Sequence, residues 1–132
     1  MKYERTQAQQ QAFEQVKGAI MADCLMAHYD PQKKTTLTVD ASPYGIGAIL
    51  SNVEKDGTPR NVAYASRSLT EVEQKYSHTE TEALAVVCRC ERFHMYLIGT
   101  KFDLFTDHKA LEVIFTPTSK PTARIERWAL RL

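Results

Sequence analysis

The apolar residues in the first part of the chain follow two different spacings. Residues 6–22 carry apolar side chains every three or four positions, which places them on one face of an α-helix. Thr6 and Gln9 fit the capping-box pattern at the start of this helix. Over residues 35–41 apolar and polar side chains alternate, as they do in a half-buried strand. The pattern therefore predicts an amphipathic helix followed by a first β-strand.

Two further strands follow at short intervals. Residues 45–53 and 61–69 are strand-like segments bounded by turn-forming residues. The first turn, Ser42-Pro43-Tyr44-Gly45, has Pro and Gly at the positions favoured in a β-turn, and residues 54–57 form the second turn. Because such short connections join antiparallel neighbours, residues 35–69 predict an antiparallel three-strand meander.

The second half of the chain alternates helix and strand. Ser77 and Glu80 fit a capping box, and an apolar-rich helical stretch runs through residues 83–97 until Gly99 ends it. The remaining predicted elements are a fourth strand and two helical segments, at residues 102–107, 108–115 and 122–132. We therefore predict an α/β fold in which a mixed sheet is flanked by helices.

Composition narrows the class of protein. The chain has 132 residues, of which 43% are apolar and 25% charged, with a formal net charge of +1. This length fits one domain, and the charge balance argues against a strongly basic nucleic-acid-binding protein. The longest apolar run, residues 83–88, is far shorter than the ~20 residues of a membrane span, and residues 2–11 do not resemble a signal peptide. We expect a soluble intracellular domain that does not enter a membrane.

Three acidic residues stand out among the 16 in the chain. Asp40 and Asp107 come at the ends of the first and fourth predicted strands, and Glu82 lies in the second turn of the main helix. Each has a simpler interpretation: Asp40 as a turn residue, Asp107 as a helix cap, and Glu82 as an acid favoured by the helix dipole. However, Glu80 already serves as the capping-box residue, which leaves Glu82 without a structural role of this kind.

Carboxylates at two strand ends and at a neighbouring helix start can meet in one patch. Like charges that lie close together are costly unless a proton or a cation compensates them. Hard oxygen ligands without His or Cys suit Mg²⁺ or Mn²⁺. Two such ions, about 4 Å apart, are a common device for hydrolysing phosphodiester bonds. The three acids therefore point to phosphodiester chemistry that depends on divalent ions.

Five short motifs follow one another along the chain: Thr38 to Ser42, Gly45 to Leu50, Tyr64 to Leu69, Tyr76 to Ala85 and Phe105 to Leu111. Together they resemble, in order, the RNase H domain of gypsy-type LTR retrotransposon polyproteins. Phe13-Glu14 and residues 25–31 are also similar to the segment that links reverse transcriptase to RNase H. The resemblance thus covers nearly the whole chain.

The resemblance implies an RNase H-like mixed sheet of five strands flanked by helices, and two bound Mg²⁺ or Mn²⁺ ions. It implies cleavage of the RNA strand of RNA–DNA hybrids during reverse transcription, beside the reverse transcriptase domain of the same polyprotein. Asp40 would bridge both ions, and Glu82 and Asp107 would be the other catalytic and metal-binding acids. Residues 1–34 would be the helix and connector on the reverse-transcriptase side, and residues 35–132 the RNase H-like domain. The expected location is a cytoplasmic particle or the nucleus.

The family pattern extends further than this chain. In the family, the stretch that matches residues 127–132 precedes another strand and a helix that carries a fourth catalytic Asp. We therefore expect a C-terminally truncated domain, lacking its last strand and helix, with weak or no activity by itself. The alternative is a non-catalytic RNase H-fold module that binds nucleic acid or acts as a scaffold.

Four residues are candidates for substrate binding. Ser42 and His108 flank the predicted acidic site. Lys109 and Arg124 belong to the basic segment 101–132, whose side chains could contact phosphates. The alternative interpretation of this segment is an ordinary solvated helix surface.

Overall fold

A computed structural model of the protein describes residues 4–22, 27–107, 124 and 127. Its strands are β1 (Lys34–Ala41), β2 (Gly45–Val53), β3 (Pro59–Ser68) and β4 (Phe102–Phe105). Its helices are α1 (Gln7–Ala22), α2 (His78–Arg92) and α3 (His94–Leu97), and a 3-10 turn spans Glu73–Lys75. The helix predicted over 108–115 lies outside the described residues; within 122–132, only Arg124 and Arg127 are described, and both are helical.

The four strands form one mixed sheet in the order β3-β2-β1-β4. β1 pairs with β2, and β2 with β3, in antiparallel register, as the short turns predicted. The chain then crosses over through α2 and α3, so that β4 joins the other side of β1 as a parallel neighbour. The predicted α/β fold with an antiparallel meander and a parallel strand is therefore confirmed for the described part of the chain.

The two faces of the sheet differ in character because side chains alternate along each strand. On one face, Leu37 and Val39 are buried together with their partners Leu50 and Ala48 across the β1–β2 pair. α2 packs on this face and contributes two of the core side chains, Leu84 and Ala85. The opposite face of β1 presents the polar side chains of Thr36, Thr38 and Asp40. Apolar burial thus fixes which face of β1 carries the candidate acid.

α2 begins where the sequence predicted but ends earlier than expected. The capping box is present, since Ser77 and Glu80 each accept a hydrogen bond from the other's backbone N–H. Phe93 leaves the helical conformation and is buried in the core, which separates α2 from α3. The predicted single stretch to residue 97 is therefore two helices. Gly99, at φ +70°, adopts the left-handed conformation that follows the second.

α1 starts as predicted but adds little to the core. Thr6 and Gln9 exchange the two hydrogen bonds of a capping box at its start. Its apolar side chains Phe13, Val16 and Ile20 are nevertheless exposed. The 3.6-residue pattern thus predicted the helix correctly, without indicating what its apolar face contacts. Among the described residues, no helix combines the length and apolar character needed to cross a bilayer.

Arg89 is a buried cation on α2 without an acidic partner in the described part of the chain. The residue is only 4% exposed, and its Nε atom has no hydrogen-bond partner. The nearby Arg67 is paired instead with Glu73, through two hydrogen bonds of 2.7 and 2.9 Å. Burial lowers the pKa of Arg89, and the positive charges of Arg67 and Arg92 add to this effect, whereas Cys88 opposes it. An apolar side chain of similar length would avoid the cost of burying the unpartnered Nε group.

We expect Arg89→Met to raise the free energy of unfolding by about 1–3 kcal/mol, because it removes an unsatisfied buried charge and keeps most of the side-chain volume. Urea denaturation at neutral pH measures the change. Arg92→Met, at an exposed position of the same helix, is the control and should change stability little. A loss of stability in Arg89→Met that exceeds the control's would show that the buried guanidinium stabilises the native state.

Candidate metal-binding active site

The parallel pairing of β1 with β4 brings two of the predicted acids to the same end of the sheet. The last paired position joins Thr38 and Phe105. Asp40 lies two residues after Thr38 on β1, and Asp107 lies two residues after Phe105, so both acids lie at the same end of this parallel pair. Both residues are exposed. The site thus opens to solvent on the side where these two acids lie.

Glu82 reaches the site from α2 and is buried. The residue is 1% exposed, and neither of its carboxylate oxygens has a hydrogen-bond partner. Glu80, two residues earlier, is the capping-box residue, as the sequence indicated. The different environments of the two glutamates confirm that Glu82 is the one without a capping role.

The three acids share one electrostatic neighbourhood. The pKa of Glu82 is raised, mainly by burial, and further by the negative charges of Asp107 and Asp40. His78 acts in the opposite direction and lowers the pKa of Glu82. Asp40 and Asp107 thus lie within electrostatic reach of Glu82, a carboxyl group whose ionisation is unfavourable without a compensating positive charge.

The donor set fits a hard divalent cation. Carboxylate oxygens are the ligands that Mg²⁺ and Mn²⁺ prefer, and the two buried oxygens of Glu82 lack a hydrogen-bond partner. Among the described residues, no group of three or more His, Cys, Asp and Glu side chains is already arranged to hold an ion. The catalytic and metal-binding roles of the three acids remain predictions.

His78 is a neighbour of the site that the sequence interpretation missed. Its Nδ1 atom lies 3.7 Å from Oε1 of Glu82, one helical turn further along α2. A protonated imidazole there would partly offset the buried negative charge. The i,i+4 spacing of the two residues on a predicted helix was the available signal.

A shallow depression of about 460 Å³ adjoins Asp40 on the exposed face of the sheet. Thr38, Gly47, Tyr64 and Ser66 contribute to its lining. A Cβ atom at position 47 would meet nothing nearer than the carbonyl oxygen of Ala65, at 3.9 Å, so the fold leaves room for a side chain there. Glycine at this position leaves the depression open beside the acid, and Ile20 of α1 also lines it.

Two of the four predicted substrate-binding residues, Ser42 and Arg124, lie among the described residues. The Ser42 hydroxyl closes the turn between β1 and β2, since it accepts hydrogen bonds from the backbone N–H groups of Tyr44 and Gly45. His108 and Lys109 lie outside the described residues. Arg124 contacts the start of α2 through its guanidinium group. Substrate binding by these four residues remains a prediction.

Residues 30–132 match the family model described as the RNase H-like domain found in reverse transcriptase. The chain is 38% identical, over 122 residues, to the retrovirus-related Pol polyprotein from transposon 297 of Drosophila melanogaster. That alignment covers 92% of this chain but 11% of the polyprotein, so the chain spans about a tenth of this relative.

The fold is also similar to solved structures of the foamy virus protease-reverse transcriptase. The native prototype foamy virus enzyme superimposes with a TM-score of 0.72 at 12% identity, over 96% of this chain and 17% of that one. The foamy viral enzyme in complex with an RNA/DNA hybrid gives a TM-score of 0.57 at 17% identity, over 96% and 18% of the two chains. At these identities the likeness establishes the fold.

Glu82 makes the stability of the metal-free protein depend on pH. The unfolded chain releases this proton near the ordinary glutamate pKa of 4.5, whereas the folded chain releases it at a higher pH. The folded state therefore loses stability as the pH rises above 4.5. We expect Glu82→Gln to be more stable than the original chain at neutral pH without metal, by about 1–2 kcal/mol, and the difference to vanish near pH 4.

Urea denaturation in a metal chelator at several pH values measures this difference. Glu91→Gln, at an exposed position of the same helix, is the matched control and should show no such trend. If Glu82→Gln destabilises the protein equally at every pH, Glu82 is not a buried, uncompensated carboxylate.

Proposed function

Since the chain belongs to the family of RNase H-like domains found in reverse transcriptase, we propose that it hydrolyses the RNA strand of RNA–DNA hybrids with two Mg²⁺ or Mn²⁺ ions. The observation that carries the proposal is the environment of Glu82, whose two buried oxygens have no hydrogen-bond partner among the described residues and whose pKa is raised further by the negative charges of Asp107 and Asp40. A cation is the natural compensation for such a cluster.

In this proposal Asp40, Glu82 and Asp107 hold the ions through their carboxylate oxygens. When bound, the ions supply an activated water molecule and stabilise the oxygen that leaves the cleaved phosphodiester. Glu82 would contribute a ligand whose position is fixed by burial, whereas Asp40 and Asp107 are exposed to solvent. The backbone of a nucleic acid would approach the acids from the solvent side, where Asp40 and Asp107 are accessible.

The proposed substrate and partner agree with the related proteins. A foamy viral enzyme that shares the fold has been seen in complex with an RNA/DNA hybrid. The relative from transposon 297 is a Pol polyprotein of which this chain matches about a tenth. We therefore propose that the chain acts inside the cell, next to the reverse transcriptase domain of the same polyprotein and during reverse transcription.

Cleavage of an end-labelled RNA–DNA hybrid, with the protein in excess over the substrate, tests the activity. We expect slow Mn²⁺-dependent cleavage of the RNA strand and slower cleavage in Mg²⁺, which demands stricter octahedral geometry. We expect residues 1–132 by themselves to act weakly, and an extended version that also carries the strand, helix and fourth acid of the family pattern to act faster.

Asp40→Asn should lower the cleavage rate about 100-fold or more, because it removes the charge of one of the three proposed metal-binding carboxylates. The matched control is Asp103→Asn, an exposed acid on β4 that is paired with Lys34 at 2.7 Å. This control should cleave at close to the original rate. If the extended protein binds the hybrid without cleaving it in either metal, the protein is a non-catalytic nucleic-acid-binding module instead.

A further inference from the structure

The carboxylate of Glu80 has two partners at the start of α2. Its Oε2 atom accepts the backbone N–H of Ser77 at 3.1 Å and completes the capping box. Its Oε1 atom lies 3.1 Å from Nη1 of Arg124, and the Glu80 side chain is mostly buried. One carboxylate therefore links the N-terminal cap of α2 to a residue 44 positions further along the chain.

Arg124 also contacts the residue that precedes the cap. Its guanidinium carbon lies 4.2 Å from the centroid of the Tyr76 ring, which is a cation–π geometry. Tyr76 immediately precedes Ser77, and Glu80 is the third residue of the helix. The planar guanidinium group thus contacts one residue before the cap, Tyr76, and one residue after it, Glu80.

Glu82 depends on this first turn for its position. No hydrogen bond fixes its carboxylate, so the side chain is placed by the helix backbone and by packing. The adjacent Thr81 bonds back to the cap, with its N–H and hydroxyl donating to the Ser77 carbonyl at 2.9 and 3.1 Å. A shift of the cap would therefore move Glu82 relative to Asp40 and Asp107.

We propose that Arg124 is a positioning residue, which braces the first turn of α2 and thereby holds Glu82 where it can share a divalent ion with the two aspartates. This inference rests on the proposed function. It differs from the substrate-binding role predicted for Arg124, because a phosphate would compete with Glu80 and Tyr76 for the same guanidinium group.

Three variants separate the contacts of this brace. Arg124→Ala removes both contacts, Arg124→Lys keeps the charge but loses the planar group, and Tyr76→Leu removes the ring alone. Arg127→Ala is the control, because Arg127 is a helical arginine one turn away whose side chain is exposed, whereas that of Arg124 is half-buried. Two quantities are measured on the whole chain: hydrogen exchange of the Thr81 and Glu82 amides, and the Mn²⁺ concentration that gives half of the metal-induced rise in melting temperature.

We expect Arg124→Ala to speed exchange of the two amides about 10-fold. It should also raise the half-saturating Mn²⁺ concentration about 10-fold, because removing a contact that supports a metal ligand commonly weakens metal binding by about 10- to 100-fold. Arg124→Lys and Tyr76→Leu should have smaller effects in the same direction. Arg127→Ala should leave both quantities unchanged.

Two outcomes would overturn the inference alone. In the first, Arg124→Ala lowers the melting temperature but leaves the half-saturating Mn²⁺ concentration unchanged, so that Arg124 has only a structural role. In the second, it weakens hybrid binding at saturating Mn²⁺ without changing metal affinity, so that Arg124 is a substrate contact. If the original chain shows no response to Mn²⁺, the proposed function fails, and the positioning role fails with it.

Discussion

An ionised carboxylate loses most of its hydration when it is buried. Among the described residues, no hydrogen-bond donor compensates the Glu82 carboxylate for this loss. The negative charges of Asp40 and Asp107 increase the cost. The folded chain can relieve it by keeping a proton on Glu82 or by binding a cation. The arrangement therefore couples the stability of the fold to metal binding, since an ion held only by the native state stabilises that state.

The rest of the fold holds this costly cluster in place. The parallel pairing of β1 with β4 brings the two aspartates to one end of the sheet, and the burial of Leu37 and Val39 against α2 orients β1. The capping box places the first turn of α2, and Arg124 joins that turn from a distant part of the chain. Apolar burial and hydrogen bonds thus stabilise a site that is unfavourable by itself.

Local patterns were sufficient for most of the elements and for the choice of acids. Alternation predicted β1, the capping-box spacing predicted the start of α2, and the capping role of Glu80 singled out Glu82 as the acid without such a role. Contacts between distant residues could not be predicted in this way. The exposed apolar face of α1, the unpaired burial of Arg89 and the contact of Arg124 with Glu80 all depend on tertiary packing. No periodicity in the sequence reports such contacts.

Paramagnetic broadening of amide NMR signals by Mn²⁺ tests the central claim most directly, because the effect falls steeply with distance from the ion. Substoichiometric Mn²⁺ should first broaden the signals of residues around Asp40, Glu82 and Asp107. In Glu82→Gln, the same broadening should require much more metal. Broadening that begins near an exposed acid elsewhere, such as Asp56, or an equal response of Glu82→Gln and the original chain, would contradict the proposed site.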